Sequence, residues 1–199
     1  MKSTKHLAVA AALLVLVGGG FVFAWDQPTA GRKLDEFRGV AVYDNGPLVA
    51  TSHGKHDAGD GYYYGQKWQC VEFVKRFLHQ AYGHRMPDVW GHAKDFFDAE
   101  VAQGKTNSNR GLLQYRNGGN VAPLPGDLVV FTNGFYGHVA IISAVRSNRV
   151  EVIQQNIFGH PRDTFTLTLR KGVHRVGEEY APAGWLRVPP MNRPRQLSR

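Results

Sequence analysis

Apolar residues recur at helical spacing over residues 70–82. They fall on one face of a helix, and Lys75, Arg76 and His79 fall on the other. The apolar face consists of Val71, Val74, Phe77, Leu78, Ala81 and Tyr82. Gly83 follows where helices commonly end, so the pattern predicts a helix that stops there.

A second apolar stripe predicts another helix, from Pro87 to about Ala102. Its members are Val89, Ala93, Phe96, Phe97 and Val101. Gly104 is expected to end this helix. Residues 103–126 are rich in Gly, Asn and Pro and are predicted to form a loop.

Alternating apolar and polar positions then predict a series of strands. The predicted strands cover residues 40–43, 127–131, 138–145, 149–155, 165–170 and 184–188. The turn at Ser147 and Asn148 joins two of them into a hairpin. Helices followed by antiparallel strands predict an α+β domain, with N-terminal helices packed on an antiparallel β-sheet.

The first 24 residues have the pattern of an export signal. Lys2 and Lys5 precede an apolar run at residues 7–17, and Ala24 offers a small residue at the exit. We therefore expect residues 1–24 to be a signal peptide or an N-terminal membrane anchor.

The rest of the chain divides into three parts. Residues 25–39 are interpreted as a spacer, 40–188 as the folded domain, and 189–199 as a disordered basic tail rich in Pro and Arg. We expect an exported protein, periplasmic or extracellular, with membrane contact through residues 7–24 if that segment is retained.

The net charge of +8 favours anionic surroundings such as a cell-wall polymer or a membrane surface. Lys and Arg are scattered along the chain and form no basic stripe on a helix, which argues against nucleic acid as a partner. One domain of this length can bury a core without disulfides, and we expect a monomer.

Cys70 is the only cysteine in the chain. Outside the cytoplasm a lone cysteine forms no intramolecular disulfide and is open to oxidation, so it is either buried and inert or retained for its reactivity. Cys70 lies where a Gly- and Tyr-rich loop meets the first predicted helix. The N–H groups and dipole at a helix start favour the thiolate, so the sequence predicts a nucleophile.

A thiol nucleophile requires a base, and the base requires an orienting group. His138 follows Gly137 at the mouth of a predicted strand and is the best candidate base. The next strand ends in Gln154-Gln155-Asn156, and the hairpin allows Gln154 or Asn156 to reach the imidazole.

Three segments carry a family resemblance: Lys67 to Phe73 (KWQCVEF), Gly137 to Ile142 (GHVAII) and Gln154 to Asn156 (QQN). Together they resemble the CHAP domain of cysteine- and histidine-dependent amidohydrolases and peptidases, in particular the amidase domain of glutathionylspermidine synthetase/amidase. The resemblance covers about residues 40–188. It implies a papain-like fold and amide hydrolysis through a thioester, with no cofactor and no metal.

One position departs from the family, which usually has Glu where this chain has Gln154. An amide oxygen can still accept the Nδ1–H bond of the catalytic histidine, as a neutral Asn does in Cys-His-Asn triads. We predict that the Cys70 N–H and the Gln69 side chain meet the oxyanion and that Asn156 supports the site. The predicted groove residues are Trp68, Tyr64, Tyr115 and Asn117, although packing around the helix start accounts for Trp68 equally well.

Other polar groups have ordinary interpretations. His53 and His56, with nearby Asp57 and Asp60, lack a defined set of metal ligands, so no metal site is predicted. Glu72 and Arg76 are spaced to form a solvated ion pair. Asp127 resembles a family position, and a turn or capping role explains it equally well.

The leading hypothesis is an exported cysteine amidase or endopeptidase that cleaves peptide amides, with peptidoglycan fragments as substrate. A glutathionylspermidine-type amide is the rival substrate. A non-catalytic cell-wall-binding module, with Gln154 marking a degenerate triad, is the alternative from a different class.

Overall fold

The structure, a computed structural model, describes residues 30–190 and, ahead of them, the backbone of two short paired strands, β1 (Leu16–Val17) and β2 (Gly20–Phe21). The predicted signal peptide or anchor otherwise lies outside the described residues, as do residues 191–199 of the predicted tail. Within the described part of the chain, no helix is long and apolar enough to cross a membrane.

An eight-stranded antiparallel sheet forms the centre of the fold. In spatial order its strands are β13 (Val173–Val176), β12 (Arg162–Arg170), β11 (Arg149–Ile153), β10 (His138–Val145), β9 (Leu128–Phe131), β14 (Gly184–Arg187), β8 (Leu112–Arg116) and β7 (Thr106–Asn107). The predicted hairpin is present as β10 and β11, with Ile141 opposite Ile153.

Part of the expected spacer belongs to the folded region. β3 (Lys33–Phe37) pairs antiparallel with β4 (Val40–Tyr43). Arg162 holds β3 to the main sheet through two bonds to Asp35, Nε to Oδ2 at 2.7 Å and Nη2 to Oδ1 at 3.1 Å. The polar composition of β3 concealed it, because the strand is only half-buried and owes its place to pairing and to this ion pair.

The helix predicted after the Gly-rich loop is α1 (Cys70–Tyr82), and it ends at Gly83 with φ 65° as expected. A hairpin of β5 (Lys55–Asp57) and β6 (Tyr63–Gln66) leads into it. α1 packs against β4, β6 and β10, so its polar side faces protein as well. Glu72 and Arg76 are therefore 0% and 3% exposed. The predicted ion pair is present, but the prediction that it is solvated is wrong, because the pair is buried.

The second predicted helix is wrong: residues 87–102 contain one four-residue 3₁₀ turn, Ala93–Phe96. The guanidinium of Arg110 donates to the carbonyl oxygens of Asp88, Trp90 and Asp95 at 2.9–3.1 Å. Because these carbonyls are held by a distant side chain, they are not used by a continuous helix. Among the described residues α1 is the one α-helix, so the plural "N-terminal helices" does not hold.

The predicted loop at 103–126 is interrupted by β7 and β8. β8 lies between β14 and β7 in the sheet, with Trp185 opposite Tyr115. One of its two neighbours in space, β14, comes from the far end of the chain, and a local Gly- and Asn-rich composition does not indicate that pairing.

Two apolar layers cover the two faces of the sheet. One lies beneath α1 and includes Phe73, Phe77 and Ile141, and the other includes Trp185 and Val152. The predicted α+β class is confirmed. The arrangement brings the start of α1 beside the start of β10, where Cys70 and His138 lie.

Candidate active site

A cleft of about 490 Å³ opens at the start of α1. Cys70 and His138 both line it, although they are 68 residues apart in the chain. The remaining walls come from the loops that precede and follow the hairpins, near residues 49–52, 89–93 and 156–158. The structure therefore brings the predicted nucleophile and base to one surface.

Backbone geometry fixes Cys70 at the first position of α1. Gln69, directly before it, is extended (φ −78°, ψ 159°), and its carbonyl oxygen accepts the Phe73 N–H at 3.2 Å. The backbone N–H groups of Val71 and Val139 favour the charged form of the thiol and so act to lower its pKa. Val139 directly follows His138 in β10.

Gly137 allows β10 to begin beside the cleft. It adopts φ 70°, and a Cβ there would lie 2.6 Å from the carbonyl oxygen of Phe131 and 2.7 Å from the Lys94 nitrogen. A side chain at this position would force the backbone away from its neighbours, so the glycine is what lets His138 occupy this place.

Gln154, and not Asn156, orients His138. Gln154 Nε2 donates to the carbonyl oxygen of His160 at 3.3 Å, which turns its Oε1 towards the imidazole. His138 Nε2 then donates to that oxygen at 3.0 Å. The expected bond from Nδ1 is thus corrected to Nε2, because this ring edge faces the end of β11. Nδ1 remains as the basic nitrogen of the neutral ring.

Burial controls the ionisation of the pair. It raises the pKa of the Cys70 thiol above its ordinary value, although N–H groups of Val139 and Val71 act in the opposite direction. It also lowers the pKa of His138 to about 4, which the Gln154 bond only partly offsets. Both shifts favour the neutral forms of the two groups, so burial opposes the thiolate that the helix start favours.

Gln69 and Asn156 lie in the cleft and are bonded to each other and to the neighbouring loop. Gln69 Nε2 donates to the carbonyl oxygens of Val49 and Thr51, at 3.1 and 2.8 Å. Asn156 Nδ2 donates to Gln69 Oε1 at 2.6 Å and to Val49 O at 2.8 Å. The Gln69 amide protons are used by these carbonyls, so the oxyanion role of Gln69 stays a prediction.

The four predicted groove residues are not among the described residues that line the cleft. Trp68 packs on Tyr43, with ring centroids 4.3 Å apart, and the Tyr64 hydroxyl bonds His79 Nδ1 at 2.8 Å. Tyr115 belongs to the apolar layer on the other face of the sheet. The Asn117 side chain instead joins two backbone segments, because its amide donates to the carbonyl oxygens of Val176 and Pro182.

Other aromatic residues take the groove position. Trp90, Tyr136 and Phe158 are 65%, 55% and 68% exposed and border the cleft together with the half-buried Tyr63. Sequence reasoning missed the three exposed rings. A signal was present, since each of the three precedes a glycine, a residue typical of turns.

The remaining polar candidates have protein partners. His53 Nε2 bonds the Asn45 carbonyl oxygen at 3.0 Å, and His56 Nδ1 bonds Glu72 at 2.8 Å. No group of three His, Cys, Asp or Glu residues in the described part of the chain is arranged to hold a metal ion. Asp127 forms a two-point ion pair with Arg187 at 2.6 and 2.8 Å, which is a structural role.

Comparisons with known proteins give a family match and several relatives. The CHAP domain family model matches residues 60–156, a range that includes Cys70, His138 and Gln154. The bifunctional glutathionylspermidine synthetase/amidase of Escherichia coli (strain K12) is 39% identical over 107 residues, covering 51% of this chain and 17% of that enzyme.

Two further relatives are more distant. The trypanothione synthetase of Crithidia fasciculata is 28% identical over 162 residues, covering 72% of this chain and 25% of the relative. The staphylococcal secretory antigen SsaA of Staphylococcus aureus (strain NCTC 8325 / PS 47) is 24% identical over 112 residues, covering 56% of this chain and 39% of the relative. The chain thus spans less than half the length of each relative. The CHAP domain family model thus covers just under half of the chain, and the α+β fold and the cleft shared by Cys70 and His138 are consistent with that match.

Proposed function

We propose that the protein hydrolyses amide bonds, with Cys70 as nucleophile and His138 as general base and acid. The observation that carries the proposal is the shared cleft. The only cysteine of the chain lies at a helix start, beside a histidine whose ring is oriented by Gln154. A nucleophile, a base and an orienting group are what thiol catalysis of acyl transfer requires.

The reaction proceeds in two halves. Cys70 Sγ attacks the amide carbonyl carbon while its proton passes to His138 Nδ1, and the resulting imidazolium gives that proton to the departing amine. The C–N bond breaks and a thioester remains on Cys70. His138 then takes a proton from water, the hydroxide adds to the thioester carbon, and the acid leaves as the proton returns to the thiolate sulfur.

Gln154 orients the base without stabilising its charge. Its Oε1 accepts the His138 Nε2–H bond in both ring states, so the ring stays aligned, but an amide adds no negative charge beside the imidazolium. A neutral resting pair is consistent with this, because proton transfer then accompanies attack on the substrate. The expected result is slower chemistry than in a carboxylate-assisted triad.

The walls of the cleft support a substrate with neutral groups around the scissile bond. Among its described lining residues there is no Asp, Glu, Lys or Arg. A polyamine conjugate carries ammonium groups that favour carboxylate partners, and the cleft offers none. The exposed rings of Trp90, Tyr136 and Phe158 suit the faces of sugars and apolar side chains.

We therefore propose peptide amides of peptidoglycan as the substrate, ahead of a glutathionylspermidine-type amide. Export through residues 1–24, with the segment either cleaved or retained as an anchor, would bring a monomeric enzyme to that polymer. The secretory antigen among the relatives supports export, and the amidase among the relatives supports amide hydrolysis.

Incubation of the folded domain with purified peptidoglycan tests the proposal. Newly released amino groups and soluble fragments are measured for the native chain and for Cys70→Ala, with glutathionylspermidine as a parallel substrate. The proposal predicts release from peptidoglycan that Cys70→Ala abolishes. Equal sedimentation of both proteins with the polymer, and no release from either substrate, would instead support the non-catalytic binding module.

A further inference from the structure

A buried polar cluster lies behind the cleft, on the side of α1 that faces the end of β11. It joins Glu72 and Arg76 of α1 to Gln155 and His56. The first three are at most 3% exposed. Arg76 Nε donates to Glu72 Oε1 at 2.5 Å, and His56 Nδ1 donates to the same oxygen at 2.8 Å. None of these contacts is part of the proposed chemistry.

Gln155 uses both ends of its amide within this cluster. Its Nε2 donates to Glu72 Oε2 at 2.7 Å and to the carbonyl oxygen of Gln69 at 3.1 Å. Its Oε1 accepts the backbone N–H of Tyr43 at 2.8 Å and an Arg76 Nη2 bond at 3.4 Å. One side chain thereby fixes β4, the residue before Cys70 and the first turns of α1.

Gln155 lies between two residues that contact the candidate active site. It lies between Gln154, which orients His138, and Asn156, which bonds Gln69. Gln155 itself holds the Gln69 carbonyl, and Gln69 directly precedes Cys70. The segment that orients the base is therefore bonded, through one residue, to the segment that carries the nucleophile.

Glu72 remains ionised in this cluster. Burial acts to raise the pKa of its carboxyl group, but the His56 bond, the charge of Arg76 and the Gln155 bond act to lower it, and the net shift is downward. An ionised carboxylate accepts the Gln155 amide more strongly than a neutral group does. The bond that anchors Gln155 to α1 is thus a charge-assisted one.

We propose that Gln155, anchored by Glu72, is a positioning residue that sets the separation of Cys70 from the His138–Gln154 pair. The proposal rests on the proposed amide hydrolysis. Gln155 touches neither substrate nor the reacting atoms; it holds the end of β11 and the start of α1 in register. Displacement of a catalytic group by about 1 Å can lower a rate by about a hundredfold.

Gln155→Met tests the proposal against a matched control, Gln114→Met. Gln155 and Gln114 are each 1% exposed, and each makes several hydrogen bonds; those of Gln114 go to Asp98 and Asn107, away from the cleft. Both variants leave buried polar groups unpaired and should lower the melting temperature. Only Gln155→Met is expected to change the site.

Two readouts separate positioning from stability. Peptidoglycan hydrolysis is measured per titrated site, and alkylation of Cys70 by iodoacetamide is measured in folded protein, where a single cysteine makes the label specific. We expect kcat and the alkylation rate to fall about tenfold or more in Gln155→Met, with KM little changed, and neither to change in Gln114→Met. Gln155→Asn, which keeps the amide but shortens its reach, should lower both rates if Gln155→Met fails to fold.

These measurements distinguish failure of the positioning role from failure of the proposed amide hydrolysis. If no amide is cleaved by the native chain, a selective loss of Cys70 alkylation in the Gln155 variants still supports the positioning role. If the native chain is active and the Gln155 variants lose only stability, with kcat and alkylation unchanged, the positioning role is overturned.

Discussion

Replacing Gln154 with Glu should raise the pKa of His138 from its low value towards neutral pH. Gln154 Oε1 lies 3.0 Å from His138 Nε2, and a Glu side chain of the same length would place a carboxylate oxygen at that point. The imidazolium would then have an adjacent negative charge. The present amide offers a hydrogen bond without that charge.

The size of the shift follows from the geometry. Two unit charges about 4 Å apart interact by about 4 kcal/mol at an effective dielectric constant of about 20, which corresponds to about 3 pKa units. Two effects oppose this gain. The carboxylate is desolvated, and its second oxygen faces the His160 carbonyl, which the Gln154 amide now contacts at 3.3 Å. A net rise of roughly 1–2 units from the present value of about 4 is expected for His138.

The assay is the pH dependence of Cys70 alkylation by iodoacetamide. The rate should rise with pH as His138 loses its proton, because the neutral ring takes the proton of the thiol. In Gln154→Glu the midpoint of this rise should lie at higher pH, and His138→Ala in the same background should remove it. An unchanged midpoint, or one at lower pH, would refute the assigned contact between residues 154 and 138.

Three further predictions concern stability and binding. The free energy of unfolding should fall as pH drops from about 6.5 towards 4, by at most about 3 kcal/mol from His138, because the unfolded state binds the proton more readily. Denaturant titrations of His138→Gln should lack this contribution. A smaller pH dependence should remain from His84, whose pKa burial also lowers. Asp127→Asn should lower the free energy of unfolding by about 3–5 kcal/mol, because it leaves Arg187 buried without its carboxylate partner. Cys70 alkylation in the folded protein should not change. A stability loss below about 1 kcal/mol would contradict the assigned ion pair. Trp90→Ala should raise KM for peptidoglycan with kcat nearly unchanged, and steady-state kinetics showing the reverse split would exclude a binding role.

The sequence predicted those elements whose pattern is local. α1 has a continuous apolar face and a glycine at its end, and the β10–β11 hairpin has alternation on both sides of a tight turn. The prediction of a second helix was wrong because of contacts that a local sequence pattern does not report. Arg110, from outside the predicted segment, takes the carbonyl oxygens that a helix would use.

The candidate site divides in the same way. The grouping of Cys70, His138 and Gln154 around one site could be predicted because the proposed nucleophile, base and orienting group have distinct residue types and neighbours. The bond from Nε2 and the neutral state of the pair depend on ring orientation and burial, which follow only from the assembled fold. The aromatic border of the cleft and the burial of Glu72 likewise arise from contacts between segments distant in the chain.

The most direct test of the central claim compares the rate of Cys70 alkylation at pH 7 in the native chain, His138→Ala and His92→Ala. His92 lines the same cleft, so its variant controls for the removal of an imidazole from these walls. We predict a roughly hundredfold loss in His138→Ala, since a positioned base typically contributes that much, and no loss in His92→Ala. Equal rates in all three proteins would contradict the assignment of Cys70 and His138 as a catalytic pair.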